Sequence, residues 1–122
     1  MKQILVIDDE PSIRFLLKKM LEREGYAVIT ASDGDEGMKL FQESFFDLVI
    51  TDILMPEKEG IEIIMEIKRE HPDIPVIAIS GGGFNSPGNY LNIAAAAGAA
   101  AALEKPVEKE ALLSHVQNLL AS

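Results

Sequence analysis

Residues 49–60 read VITDILMPEKEG: two apolar, β-branched residues run into Thr51 and Asp52, and three apolar residues, a proline and, further on, a glycine follow. An apolar strand that ends on a carboxylate admits two explanations. The acid can form a turn or cap a helix, or it can be one member of a site assembled from several strand ends. Which holds depends on where the other apolar runs of the chain end.

Working outward, Ile4 to Ile7 is a short apolar run of the kind a buried strand shows, and it ends in Asp8, Asp9 and Glu10. Pro11 then opens a helical pattern in which Ile13, Leu16, Leu17, Met20 and Leu21 recur, and Gly25 closes it. Further strands are expected at Ala27–Ala31, Leu48–Thr51 and Val76–Ile79, with a weak fifth at Ala100–Leu103. Between them helices are expected over Asp33–Glu43, Glu59–Glu70 and Tyr90–Ala97, and a last helix carries Leu112, Val116, Leu119 and Leu120. Residues 80–89, SGGGFNSPGN, read as a loop from their Gly, Asn, Ser and Pro content. Strands that alternate with helices imply a parallel sheet covered on both faces. The expected fold is α/β, a doubly wound, flavodoxin-like (βα)5 sheet with strand order 2-1-3-4-5. At 122 residues with no visible linker, the expectation is one domain spanning 1–122.

In such a sheet functional groups gather at the carboxyl ends of the strands, in the crevice where strand order reverses. Here that is between the first and third strands, which brings Asp8, Asp9 and Glu10 beside Asp52. The fourth strand ends in Ser80 and the fifth in Lys105. Clustered carboxylates repel one another, and a hard cation such as Mg²⁺, with Mn²⁺ as a substitute, would stabilise them. A carboxylate can attack phosphorus and form an acyl phosphate, while a cation, a lysine and a hydroxyl neutralise the phosphoryl oxygens. Asp52 is then the candidate nucleophile, Asp8 and Asp9 the metal pocket, and Ser80 and Lys105 the phosphoryl clamp. The blander alternative is that Asp8 or Asp9 caps the helix opened by Pro11.

Composition narrows the function further. The formal charge of −9 argues against broad nucleic-acid binding, which needs Lys and Arg along phosphate backbones. The absence of Cys excludes disulfides and thiolate chemistry. The start MKQILVIDDEP is neither a signal peptide nor a membrane span, and a cytoplasmic location is expected. His71 and His115 read as surface residues, not phosphocarriers. The run AAAAGAAAALE from Ala94 is low in complexity and carries no chemistry.

Four segments, ILVIDDEPSIRFLLKKMLEREGY, DLVITDILMPEKEG, IPVIAISG and LEKP, together resemble the receiver domain of two-component response regulators, in order and across essentially the whole chain. The resemblance implies a signalling phosphoacceptor, not an enzyme acting on a separate substrate. It places the phosphoryl group on Asp52. It implies metal ligation by Asp9 with Asp8 adjacent, by Asp52 and by the backbone carbonyl of Leu54. Ser80 and Lys105 take the clamp positions, and the Lys105–Pro106 peptide is expected to be cis. Partners implied are a histidine kinase or histidine phosphotransfer protein and a downstream protein target, with no direct nucleic-acid or membrane contact. The chain would be a monomer or a phosphorylation-dependent dimer.

Departures from the family pattern are local. Ala102 stands where many receivers carry an aromatic that moves on activation, so the switch falls to the loop 81–90, with Phe84 and Tyr90 as substitutes and Gly81 leaving room for a phosphodonor. Leu54 and Gly82 offer no acid or amide to position a hydrolytic water, so slow self-dephosphorylation is expected. Three rivals share parts of the pattern. A flavin mononucleotide carrier needs a hydroxyl-rich loop where Asp8 to Glu10 stand. An aspartyl phosphohydrolase places its nucleophile in a D-x-D motif on the first strand, which IDDEP lacks. A pseudo-receiver that only binds proteins is expected to lose the Asp pocket or the lysine, and both are present.

Overall fold

The computed structural model describes residues 1–53, 60–80 and 87–121, with the side chains of 87–91 outside the description. Among these residues five strands alternate with five helices: β1 (Gln3–Ile7), α1 (Pro11–Arg23), β2 (Ala27–Ala31), α2 (Gly34–Glu43), β3 (Leu48–Asp52), α3 (Gly60–Glu70), β4 (Val76–Ser80), α4 (Pro87–Ala97), β5 (Ala101–Glu104) and α5 (Lys109–Leu120). All strand pairs are parallel and the order is β2-β1-β3-β4-β5, as expected from the alternation.

The strands read as continuous apolar runs because both faces of the sheet are covered. Leu5, Ile7, Val49, Val76 and Ala78 point to one side, where Met38 and Phe41 of α2, Ile63, Ile64 and Ile67 of α3 and Ala94 of α4 meet them. Ile4, Val6, Leu48, Ile50, Ile77 and Ile79 point to the other, against Leu17 and Leu21 of α1 and Leu112 and Val116 of α5. The alternation follows the two-residue period of a strand. Phe46, just ahead of β3, is fully buried and stacks on Phe41 at 6.4 Å between ring centroids.

Helix ends follow local chemistry. Gly25 has φ +93, and the bonds Tyr26 N–H to Leu21 O and Gly25 N–H to Glu22 O close α1 in a Schellman turn, a left-handed position that favours glycine. The same pair of bonds, from Ala99 to Ala94 and from Gly98 to Ala95, ends the alanine-rich α4. Asp33 caps α2, its carboxylate accepting from the Glu36 N–H at 2.8 Å, and Glu36 reaches back to the Ser32 N–H.

Some boundaries differ from the sequence reading. Strands β3 and β4 run one residue beyond the expected ranges Leu48–Thr51 and Val76–Ile79, to Asp52 and Ser80, because Asp52 still pairs with Ile79 and Ser80 with Glu104. Lys105 lies one residue beyond β5. Helix α4 begins at Pro87, three residues before Tyr90, so residues 87–89 are helical and not loop; a proline at the first helical position loses no bond. Capping of α1 by Asp8 or Asp9 does not occur. The N-cap is Glu10, which makes no side-chain cap bond, and Asp8 Oδ1 instead accepts from the Glu10 N–H at 2.9 Å. His71 is exposed and meets the Phe41 ring edge-on, and His115 is half-buried on α5; neither is at a carboxyl strand end. No described helix is long and apolar enough to cross a membrane.

Candidate functional site

The chain leaves β1 outward to β2 and returns on the other side of β1 to form β3, so the order reverses between β1 and β3. Ile7 is level with Thr51 and Asp52 with Ile79, which sets Asp8 and Asp52 side by side at the mouth of that crevice. The β1 end is pinned twice. The Asp8 N–H donates to Ala31 O at 3.1 Å, and Arg14 Nη1 of α1 donates to Asp8 O at 2.7 Å. The β3 end is held by the Ile53 N–H bond to Ile79 O at 2.9 Å and the Gly60 N–H bond to Ile53 O at 2.8 Å. The Lys105 N–H donates to Ser80 O at 2.8 Å, and the Lys105–Pro106 peptide is cis.

These anchors converge four carboxylates. Asp8, Asp9, Glu10 and Asp52 each offer an oxygen within 4.8 Å of the others. Lys105 Nζ lies 3.0 Å from Asp52 Oδ2, 3.1 Å from Asp8 Oδ2 and 3.0 Å from Glu10 Oε1. The Asp8 contact is an ion pair without hydrogen-bond geometry, so Asp8 Oδ2 is buried with no hydrogen-bond donor among the described residues. Asp8 is 1% exposed and Asp52 3%. A buried oxygen lacking a donor, ringed by further carboxylates, is a donor set that fits a hard divalent cation.

Burial pushes the Asp8 carboxyl above its ordinary 3.8; the Glu10 N–H and the Lys105 charge pull down without offsetting it, and the Asp9 charge adds to the rise. The sign follows by linkage. The folded chain holds this proton more tightly than the unfolded chain, so ionised Asp8 costs stability above its folded value, and the cost fades as pH falls through that value. Replacing Asp8 with Asn is therefore expected to stabilise the metal-free protein near neutral pH by on the order of 1 kcal/mol. The gain shrinks on acidification. Urea unfolding in a chelator at neutral and acidic pH checks both statements.

The structure thus brings together Asp8, Asp9, Asp52 and Lys105 as the strand-end argument expected. Ser80 is buried and ends the adjacent strand β4. Ala102 is half-buried in β5, level with Ala78, and packs against the α2–α3–α4 core. Leu54, Gly81, Gly82 and Phe84 lie outside the described residues, as does the side chain of Tyr90. Glu10, which the strand-end argument placed beside Asp52 without a role, takes part, and so do two residues the sequence did not single out, Arg14 and Gly60. Glu10 shares Lys105, Arg14 holds the β1 end, and Gly60 abuts Asp52. A Cβ on Gly60 would run into the Asp52 carbonyl oxygen and come within 2.7 Å of Ile53 Cα. Their signals were present: Glu10 directly follows the acid pair, Arg14 is one helical turn beyond it, and Gly60 ends the stretch that carries Asp52.

Comparison with known proteins agrees with this geometry. The family model of the response regulator receiver domain matches residues 4–117. The transcriptional regulatory protein GlrR of Escherichia coli K12 is 36% identical over 119 residues, 96% of this chain. The match covers 26% of GlrR, so the chain spans about a quarter of that relative's length. A response regulator receiver domain protein of Clostridium thermocellum superposes with TM-score 0.90 at 38% identity, covering 99% of this chain and 95% of that one. TrrA of Thermotoga maritima, a response regulator solved with Mg²⁺ and BeF, gives TM-score 0.86 at 38% identity, covering 98% of this chain and all of that one. With the fold, the strand-end acids and the matched span in agreement, the chain belongs to the response regulator receiver domain family of two-component signalling.

Proposed function

We propose that residues 1–122 act as one phosphoacceptor unit in which Asp52 takes a phosphoryl group from a phosphohistidine partner, a histidine kinase or a phosphotransfer protein. The observation that carries the reading is Lys105 Nζ held 3.0 Å from Asp52 Oδ2 beside a buried Asp8 oxygen with no donor among the described residues. An Asp52 carboxylate oxygen attacks phosphorus, an acyl phosphate forms on Asp52, and the phosphorus–nitrogen bond to histidine breaks as the imidazole leaves. Lys105 and the Ser80 hydroxyl take the transferred phosphoryl oxygens. Asp9, Asp8, Asp52 and the Leu54 carbonyl are the residues that would hold Mg²⁺, or Mn²⁺ in its place. The bound ion would neutralise charge on the carboxylates and on the phosphoryl oxygens. TrrA, solved with Mg²⁺ and BeF, supports this set by its similarity.

The new charge on Asp52 draws Lys105 and Ser80 towards it. It shifts the population of the segment after β4 and of α4, and so changes affinity for a downstream protein. With Ala102 in place of an aromatic, that segment and not β5 carries the change. The setting is cytoplasmic, and the activity is the chain's own phosphorylation and slow dephosphorylation, not turnover of a separate substrate. Intact mass after incubation with acetyl phosphate and Mg²⁺ tests the reading. One phosphoryl group is expected on the native chain, with none on Asp52→Asn and none in chelator; an adduct that persists in Asp52→Asn would contradict it.

A further inference from the structure

The geometry points to Glu10 as a charge gate over Lys105, one that sets which phosphodonors reach Asp52. The inference rests on the phosphoacceptor reading of Asp52. Glu10 sits at the N-cap of α1 and makes no side-chain bond to the helix. Its carboxylate turns across the cleft instead and accepts from Lys105 Nζ at 3.0 Å, although its side chain is 55% exposed. An ammonium has three N–H donors. Two of them bond Glu10 and Asp52, and the ammonium also lies 3.1 Å from Asp8 Oδ2, so an incoming phosphoryl oxygen meets a lysine already surrounded by three carboxylates.

The three partners are not equivalent. Asp8 and Asp52 are buried at strand ends held by backbone bonds, while Glu10 alone stands in solvent and can swing away. A phosphoryl group approaching Asp52 therefore takes the place of Glu10 on Lys105. Until it does so it also meets the Glu10 charge at the cleft mouth. That repulsion grows with the donor's own negative charge. Glu10 thus selects against free dianionic acyl phosphates and favours donors of lower charge with a phosphorus–nitrogen bond, the bond of a phosphohistidine.

Two small donors separate this charge effect from general damage. With acetyl phosphate, a dianion, an Asp52 oxygen bonds phosphorus as the bond to the acetate oxygen breaks and acetate leaves. With phosphoramidate, a monoanion whose nitrogen carries the proton, the same attack breaks the phosphorus–nitrogen bond and ammonia leaves. Initial rates against donor concentration, followed by intact mass at saturating Mg²⁺, are compared for the native chain, Glu10→Gln and Glu10→Asp. Glu10→Gln is expected to lower KM for acetyl phosphate roughly five-fold, to leave the maximal rate within about two-fold, and to move the phosphoramidate KM far less. Glu10→Asp keeps the charge and is expected to keep the native preference between donors. Equal shifts for both donors, or an unchanged preference in Glu10→Gln, would overturn the gate while leaving the role of Asp52 intact. A native chain that gains no Asp52-dependent phosphoryl group from either donor would overturn the parent reading and the gate together.

Discussion

Lys105→Met is expected to lower the stability of the metal-free protein by about 2–4 kcal/mol near neutral pH. The lysine is 11% exposed, and its ammonium compensates two carboxylates that are almost wholly buried. Burial alone would lower the Lys105 pKa. Hydrogen bonds to Asp52 and Glu10, with the charges of Asp52 and Asp8, outweigh that and hold it above its ordinary 10.5. A raised lysine contributes stability that is fully present below its unfolded value and is lost only as pH rises through the folded one. Measurements near neutral pH therefore read the whole loss. In Lys105→Met the acids lose the ammonium that faces them, so stability recovers as pH falls and they take up protons. Added Mg²⁺ restores it as well, by binding only the folded chain. Urea unfolding across pH, with chelator and with Mg²⁺, checks this. A loss of the same size at every pH would mean that the lysine acts by packing alone.

Gly60→Ala is expected to cost about 1–3 kcal/mol, although alanine is intrinsically better in a helix by about 1 kcal/mol. The added methyl meets the Asp52 carbonyl and Ile53 Cα, both main-chain atoms, which cannot turn aside as the tip of a side chain can. The end of β3 must shift, and Asp52 shifts with it. Misplacing a reacting group in this way is expected to slow phosphorylation by acetyl phosphate roughly ten-fold or more. Thermal unfolding and the initial rate of mass gain report the two effects separately. Native stability together with a native rate would show that the α3 start yields without moving Asp52.

The strand order and the convergence of Asp8, Asp9, Asp52 and Lys105 were legible because the first, third, fourth and fifth strands are apolar runs that lead into a polar residue. A parallel sheet leaves only one place for those ends to meet. What escaped was set by backbone proximity or by side-chain reach. Gly60 looks like an ordinary turn glycine until the Asp52 carbonyl is placed beside it. Glu10 was placed at the crevice by its strand end, but its bond to Lys105 depends on the reach of its side chain. Arg14 reads as a solvated helix residue, yet it holds the Asp8 carbonyl. Helix α4 began earlier than its pattern suggested because Pro87, a loop signal beside Gly88, is equally a helix opener. Phe46 was hidden by its place outside any periodic segment, next to an exposed Phe45.

Reductive trapping locates the phosphoryl group on the chain. The chain is phosphorylated with acetyl phosphate and Mg²⁺, treated with borohydride, which reduces an acyl phosphate to the alcohol, and mapped by peptide mass spectrometry. Reduction is expected at Asp52 alone, and none when Mg²⁺ is chelated. Reduction at Asp8, Asp9 or Glu10, or none at any carboxylate, would contradict the assignment to Asp52.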